Sequence, residues 1–226
     1  MKPFILCLLV VFCGCAQGIY FRTPNDVQRK KGTILFNDST TLSGLITIPF
    51  ENYYKGSTFE NYYKASISYP KYIQVIPDGK TAEDTVAVAR INGYYMDSNF
   101  YALKSVFLPV DNTEHLLFVK RLTGQYSRIG LYYLHQTGKS TSAGEETEDY
   151  FITLPGSKPY ETINTRSEKI VPYFDLKMSV LVSDCPALAD KIRSKNPAYY
   201  FPFVTINRFK QRDVMLKIID GYNNCK

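Results

Sequence analysis

Between Gly32 and about Val182 the chain reads as short apolar-polar alternations broken by turn residues, and this pattern constrains the fold more than any other feature. Thr33–Phe36 and Leu42–Ile48 flank Asn37-Asp38-Ser39, a natural hairpin turn. Tyr72–Ile76 leads into a second turn, Pro77-Asp78-Gly79-Lys80. Further runs follow at Thr85–Ile91, Phe100–Leu108, Leu116–Leu122, Ile129–Leu134 and Tyr150–Leu154. Strands at this spacing predict an antiparallel sheet, closed into a barrel or stacked as a sandwich. The segment Thr137–Asp149, rich in Gly, Ser, Thr and Glu, reads as a solvated loop. Composition agrees: 19 Tyr and 14 Phe without any Trp suit pleated, half-buried surfaces. Tyr-Tyr doublets occur at Tyr53-Tyr54, Tyr62-Tyr63, Tyr94-Tyr95, Tyr132-Tyr133 and Tyr199-Tyr200. A doublet in a strand sends one ring to each face, so one ring is exposed unless both faces are covered. Exposed tyrosines of this kind offer contacts to peptide or glycan.

The period changes near the C-terminus. Ser183-Asp184 before Pro186 reads as a helix start, with a capping side chain and a proline in the first turn. Cys185, Leu188, Ala189 and Ile192 then share one helical face. A second helix is predicted from about Gln211 to Tyr222, its stripe formed by Val214, Met215, Ile218, Ile219 and Tyr222, with Cys225 continuing it. Arg212, Asp213, Lys217 and Asp220 take the opposite face. Packed antiparallel, the pair places the start of the first helix beside the end of the second. The expected class is α+β: a β-rich body over 17–182 and a helical pair over 183–226, packed on that body as one domain.

Residues 1–16 read as a signal segment. Lys2 supplies the charge and Phe4–Phe12 an apolar core of nine residues, far short of the ~20 a membrane-spanning helix needs. Gly14 and Ala16 suit cleavage before Gln17, and Ala16 and Gly18 suit cleavage before Ile19. Alternatively, Phe12-Cys13-Gly14-Cys15 resembles a lipobox, with Cys15 as the lipidated residue, and this would be the chain's one link to a membrane. Each outcome places the protein outside the cytosol, as a periplasmic protein or an outer-membrane lipoprotein, with secretion the lesser alternative. Of the five cysteines, Cys7, Cys13 and Cys15 lie in or beside this segment. Cys185 and Cys225 remain, and in an oxidising compartment they are expected to pair.

The formal charge is +6, and no basic run exceeds Arg29-Lys30-Lys31. Nucleic-acid binders gather positive charge into a stripe along the phosphates, so this class is not expected. Thr137-Gly-Lys-Ser-Thr141 resembles the tail of a phosphate-binding loop, but Tyr133 stands where that loop needs glycine. The two histidines, His115 and His135, have no metal-ligating neighbour at strand or helix spacing, and no Gly-x-Ser-x-Gly motif exists. Glu145, Glu146, Glu148 and Asp149 are expected to be solvated in their loop. No catalytic, cofactor-binding or metal-binding residue is assigned. The leading expectation is a non-enzymatic binding or accessory module of the envelope. The alternative is a glycan-directed hydrolase whose two carboxylates meet in a cleft from distant strands. Glu51-Asn-Tyr-Tyr-Lys55 recurs as Glu60-Asn-Tyr-Tyr-Lys64, a local duplication too short for a solenoid.

Gly32–Ile46, Leu181-Val-Ser-Asp-Cys-Pro-Ala-Leu188 and Gly221-Tyr-Asn-Asn-Cys225 resemble segments of a group of uncharacterised exported proteins of Bacteroidota-type bacteria. The resemblance covers the ends better than the middle and implies export and a β-rich body, with no mechanism. Such bacteria O-glycosylate exported proteins at short Asp-Ser/Thr sites, which Asp38-Ser39-Thr40 and Asp84-Thr85-Val86 resemble.

Overall fold

A computed structural model describes residues 19–20, 27–48, 51–52, 67–68, 71–108, 113–138, 146–202 and 208–225. The first hairpin joins β2 (Lys30–Phe36) to β3 (Thr41–Thr47), in register from Lys30↔Ile46 to Leu35↔Thr41. Its turn is closed by Asp38, whose Oδ1 accepts the Thr40 N–H at 3.0 Å and the Thr40 hydroxyl at 2.6 Å. Those bonds hold the Asp38 carboxyl below its ordinary range. The second expected turn also forms: β6 (Tyr72–Pro77) ends where Lys80 N–H donates to Pro77 O at 3.0 Å, with Gly79 at φ +78°. After it comes β7 (Asp84–Ala87).

The alternating run Thr85–Ile91 is not one strand. Val88–Arg90 form a 3₁₀ turn before β8 (Ile91–Met96). The chain must cross here, because β7 lies beyond β6 at one edge whereas β8 pairs with β2. Asn37 fastens the crossing, donating from its backbone to Arg90 O at 3.0 Å and from Nδ2 to Ala89 O at 2.8 Å. Asp97 and Ser98, both at positive φ, then form the two-residue turn into β9 (Asn99–Leu108).

Three further long strands follow: β10 (Thr113–Arg121), β11 (Gly130–Gly138) and β12 (Glu146–Thr153). The segment read as a loop over Thr137–Asp149 is therefore strand at both ends, and 139–145 lie outside the described residues. With β13 (Ile163–Asn164) the ladder runs β13-β12-β11-β10-β9-β8-β2-β3-β6-β7. β1 (Ile19–Tyr20) joins it on β11, and β4 (Glu51–Asn52) pairs separately with β5 (Ile67–Ser68). Each pairing is antiparallel. Of the two closures the sequence left open, the barrel does not form: the sheet is open and sandwich-like. Its curl brings the segment before β13 back to β9, where Ser105 N–H donates to Tyr160 O at 2.7 Å.

Among the described residues three α-helices complete the α+β fold: α1 (Phe174–Leu181), α2 (Pro186–Arg193) and α3 (Arg208–Asn223). The last two are the expected pair, with Leu188, Ala189, Ile192, Val214, Met215, Ile218, Ile219 and Tyr222 buried. α1 corrects the reading of strands and turns up to Val182. It buries Phe174 and Met178 but also Asp175 and Ser179, while Leu176 and Val180 are exposed. Apolar residues on both sides leave neither period visible in sequence. Asp175 meets Lys195 beyond α2 at 3.7 Å.

The alternation in β11 and β12 serves two cores. Leu131, Tyr150 and Ile152 join the helices, whereas Tyr132, Leu134 and Phe151 join Ala102, Val106, Leu117 and Val119. A further core fills the β2, β3, β6 and β8 region, with Tyr94 stacked on Tyr101 at 5.0 Å and edge-on to Phe118 at 5.1 Å. Strand contact is closest at Gly44, where an added Cβ would lie 2.2 Å from Ile76 O. Gly44→Ala is expected to destabilise the fold by about 1–3 kcal/mol as overpacking. Gly124→Ala, with nothing within 4 Å, is expected to be near neutral. Urea midpoints of the two variants check this pair.

Candidate functional site

Cys185 and Cys225 form a disulfide with Cα atoms 5.9 Å apart, joining the start of α2 to the second residue past α3. Pro186 occupies the first turn of α2 as its missing N–H allows, but no side chain caps the helix. Asp184 is turned to another task. Its Oδ2 accepts from the Tyr222 hydroxyl at 3.0 Å and from Arg128 Nη2. The Arg128 guanidinium lies 3.8 Å from the Tyr222 ring centre and donates to the Tyr222 hydroxyl at 2.8 Å. Asn223 Oδ1 accepts the Arg128 N–H at 2.9 Å. These bonds, Tyr222 first and Arg128 second, hold the Asp184 carboxyl below its ordinary range. The loop between β10 and β11 is thereby tied to both helix ends beside the disulfide, which makes this network a fastening of the fold.

The acids expected to be solvated are not uniformly so. Glu148 lies within β12, half-buried, and its two oxygens accept from the Tyr133 hydroxyl at 3.3 Å and the Tyr150 hydroxyl at 2.8 Å. The correction has a simple cause: the strand begins at Glu146, earlier than its polar residues suggest, and carries Glu148 to the edge of the helical core. Asp149, the next residue, points to the other face of the sheet. The two adjacent carboxylates therefore cannot share one cleft. Glu145 lies outside the described residues, as does 139–141 of the phosphate-loop resemblance.

The second charged group was not expected. Lys104 in β9 is 9 % exposed, with Nζ 2.5 Å from Pro159 O and 5.2 Å from the centre of the Tyr132 ring. Arg121 at the end of β10 sets its guanidinium 5.9 Å from the same ring and donates to Gln125 O at 3.2 Å. Burial first, then the Arg121 charge, lowers the Lys104 ammonium to about 8. The folded value lies below the unfolded one, so this group's penalty eases as pH rises from about 8 towards the ordinary lysine value of 10.5.

The remaining expected positions are scattered. His115 lies half-buried in β10, and residue His135 belongs to β11. Of the doublets, Tyr94 and Tyr132 are buried while Tyr95 and Tyr133 are half-buried, so both faces are covered there. Tyr199-Tyr200 lie in the turn after α2, and the two doublets at 53–54 and 62–63 lie outside the described residues. Among the described residues the exposed tyrosines are Tyr72 on β6, Tyr126 in the β10–β11 loop and Tyr173 before α1, on three separate elements. Cys15 lies outside the described residues, as does most of the duplicated Glu-Asn-Tyr-Tyr-Lys segment. Among the described residues no three His, Cys, Asp or Glu side chains converge as a metal site, and no helix is long and apolar enough to cross a membrane. No family model, curated protein or solved structure matches the chain.

Two outcomes follow from these contacts. In a chain beginning at Gln17, replacing Cys185 and Cys225 together by serine is expected to lower stability by about 4 kcal/mol, from release of a long closed loop. Denaturant titrations of the parent and the double variant measure it. Tyr150 ionises well above its ordinary value of 10.0, first through burial and then through its bond to Glu148. A raised tyrosine contributes stability that is fully present below the unfolded value and is lost as pH climbs through the folded one. Tyr150→Phe is therefore expected to flatten the fall in unfolding free energy above about pH 10, read from chemical denaturation across that range.

Proposed function

We propose that the protein is exported to the cell envelope and acts there as a non-enzymatic binding or accessory module. The observation that carries this reading is the disulfide between Cys185 and Cys225. Cytosolic thiols are held reduced, and paired cysteines persist in exported proteins. The leader-like order of charge, apolar core and small residues over 1–16 supports the same address. Peptide or glycan, met through exposed tyrosines such as Tyr126, which is 91 % exposed, is the partner class assigned. Membrane attachment in this reading depends on a lipid at Cys15.

Peptide mapping of protein recovered from its native cell, alkylated while denatured and before any reduction, tests the proposal. A mature terminus at Gln17, Ile19 or lipid-bearing Cys15, with Cys185 and Cys225 protected from alkylation, is the expected result. An intact Met1 with both thiols alkylated would overturn it.

A further inference from the structure

We propose that Lys104 and Arg121, set against the ring of Tyr132, bind a small ligand through its carboxylate or phosphate group. The inference goes beyond the envelope role and holds whether or not the chain is exported.

The argument begins with charge. Lys104 is nearly buried, Tyr132 is 3 % exposed, and Arg121 is half-buried. Around them stand Ala102, Val106, Leu117, Val119, Leu134 and Phe151, which offer a positive charge no compensation. Among the described residues neither cation has a carboxylate partner. Their contacts are the neutral carbonyls of Pro159 and Gln125 and the shared aromatic ring. The buried Nε of Arg121 has no acceptor at all. Arg128 makes the contrast, because the fold supplies it with Asp184. Two like charges sharing one apolar neighbourhood oppose folding, and a buried donor left unpaired adds to that cost.

An oxyanion offsets the charge penalty. It supplies the missing countercharge, accepts from the guanidinium fork and lies within reach of an ammonium. The aromatic ring is held ready for the purpose. A Cβ at Gly130 would meet the Tyr132 hydroxyl at 2.6 Å and Cε2 at 2.8 Å, so the glycine is what lets that ring lie over its own strand. Burial sets the ligand's size, since a bulky surface cannot reach Lys104.

The test uses the mature chain with its disulfide intact, titrated with inorganic phosphate or acetate against chloride at matched ionic strength. Either oxyanion is expected to raise the thermal midpoint, and to move the Lys104 amine titration upward in NMR of lysine-labelled protein. Lys104→Met and Arg121→Gln are each expected to weaken binding by roughly tenfold or more, whereas Lys158→Met leaves it unchanged. A preference for phosphate or for acetate names the ligand's acidic group, and both support the site. No response beyond chloride overturns the proposal, as does undiminished binding by folded Lys104→Met. Should that variant fail to fold, an unmoved Lys104 titration in the parent protein overturns it equally.

Discussion

Two strands covered on both faces hold this molecule together. β11 and β12 send Leu131, Tyr150 and Ile152 into the helical core and Tyr132, Leu134 and Phe151 into the core shared with β9 and β10. A slip of one residue along either strand would exchange the two sets of side chains and spoil both cores at once. The register Tyr132↔Phe151 and Tyr133↔Tyr150 is thus determined twice over. The helices have no other sheet surface of comparable extent in their core, and the Arg128–Asp184–Tyr222 contacts keep their ends against it.

Much of this architecture was legible in the sequence because it follows local rules. Asn37–Thr40 and Pro77–Lys80 form turns because their own side chains and φ preferences favour them. The faces of α2 and α3 stood out because their buried residues recur at helical spacing. α1 was hidden because Leu176 and Val180 are apolar yet exposed, while Asp175 and Ser179 are polar yet buried. The 3₁₀ turn at Val88–Arg90 was hidden for another reason. Only the order of strands in the sheet requires the chain to cross there, and order is not a local property.

The charged groups divide in the same way. Nothing local marks Lys104 in Ala102-Leu103-Lys104-Ser105-Val106 as buried, yet β9 is covered on both faces, with Leu103 in one core and Ala102 and Val106, beside Lys104, in the other. Tyr132 meets Lys104 and Arg121 only after three strands have paired, so no spacing in the chain announces the trio. Glu148 was misplaced because its polar neighbours resemble a loop, whereas the partners that organise it, Tyr133 and Tyr150, lie across and along the sheet. Cys185 and Cys225 were the easiest to pair, since elimination and helix geometry pointed to the same two residues.

The bridge between Cys185 and Cys225 also makes the last part of the chain a covalent ring, closed by 40 residues of sequence separation. A protease that cuts a peptide bond inside that ring opens it without releasing either piece. Both halves of the helical layer would stay tethered through sulfur, so damage to the backbone there need not become loss of the layer.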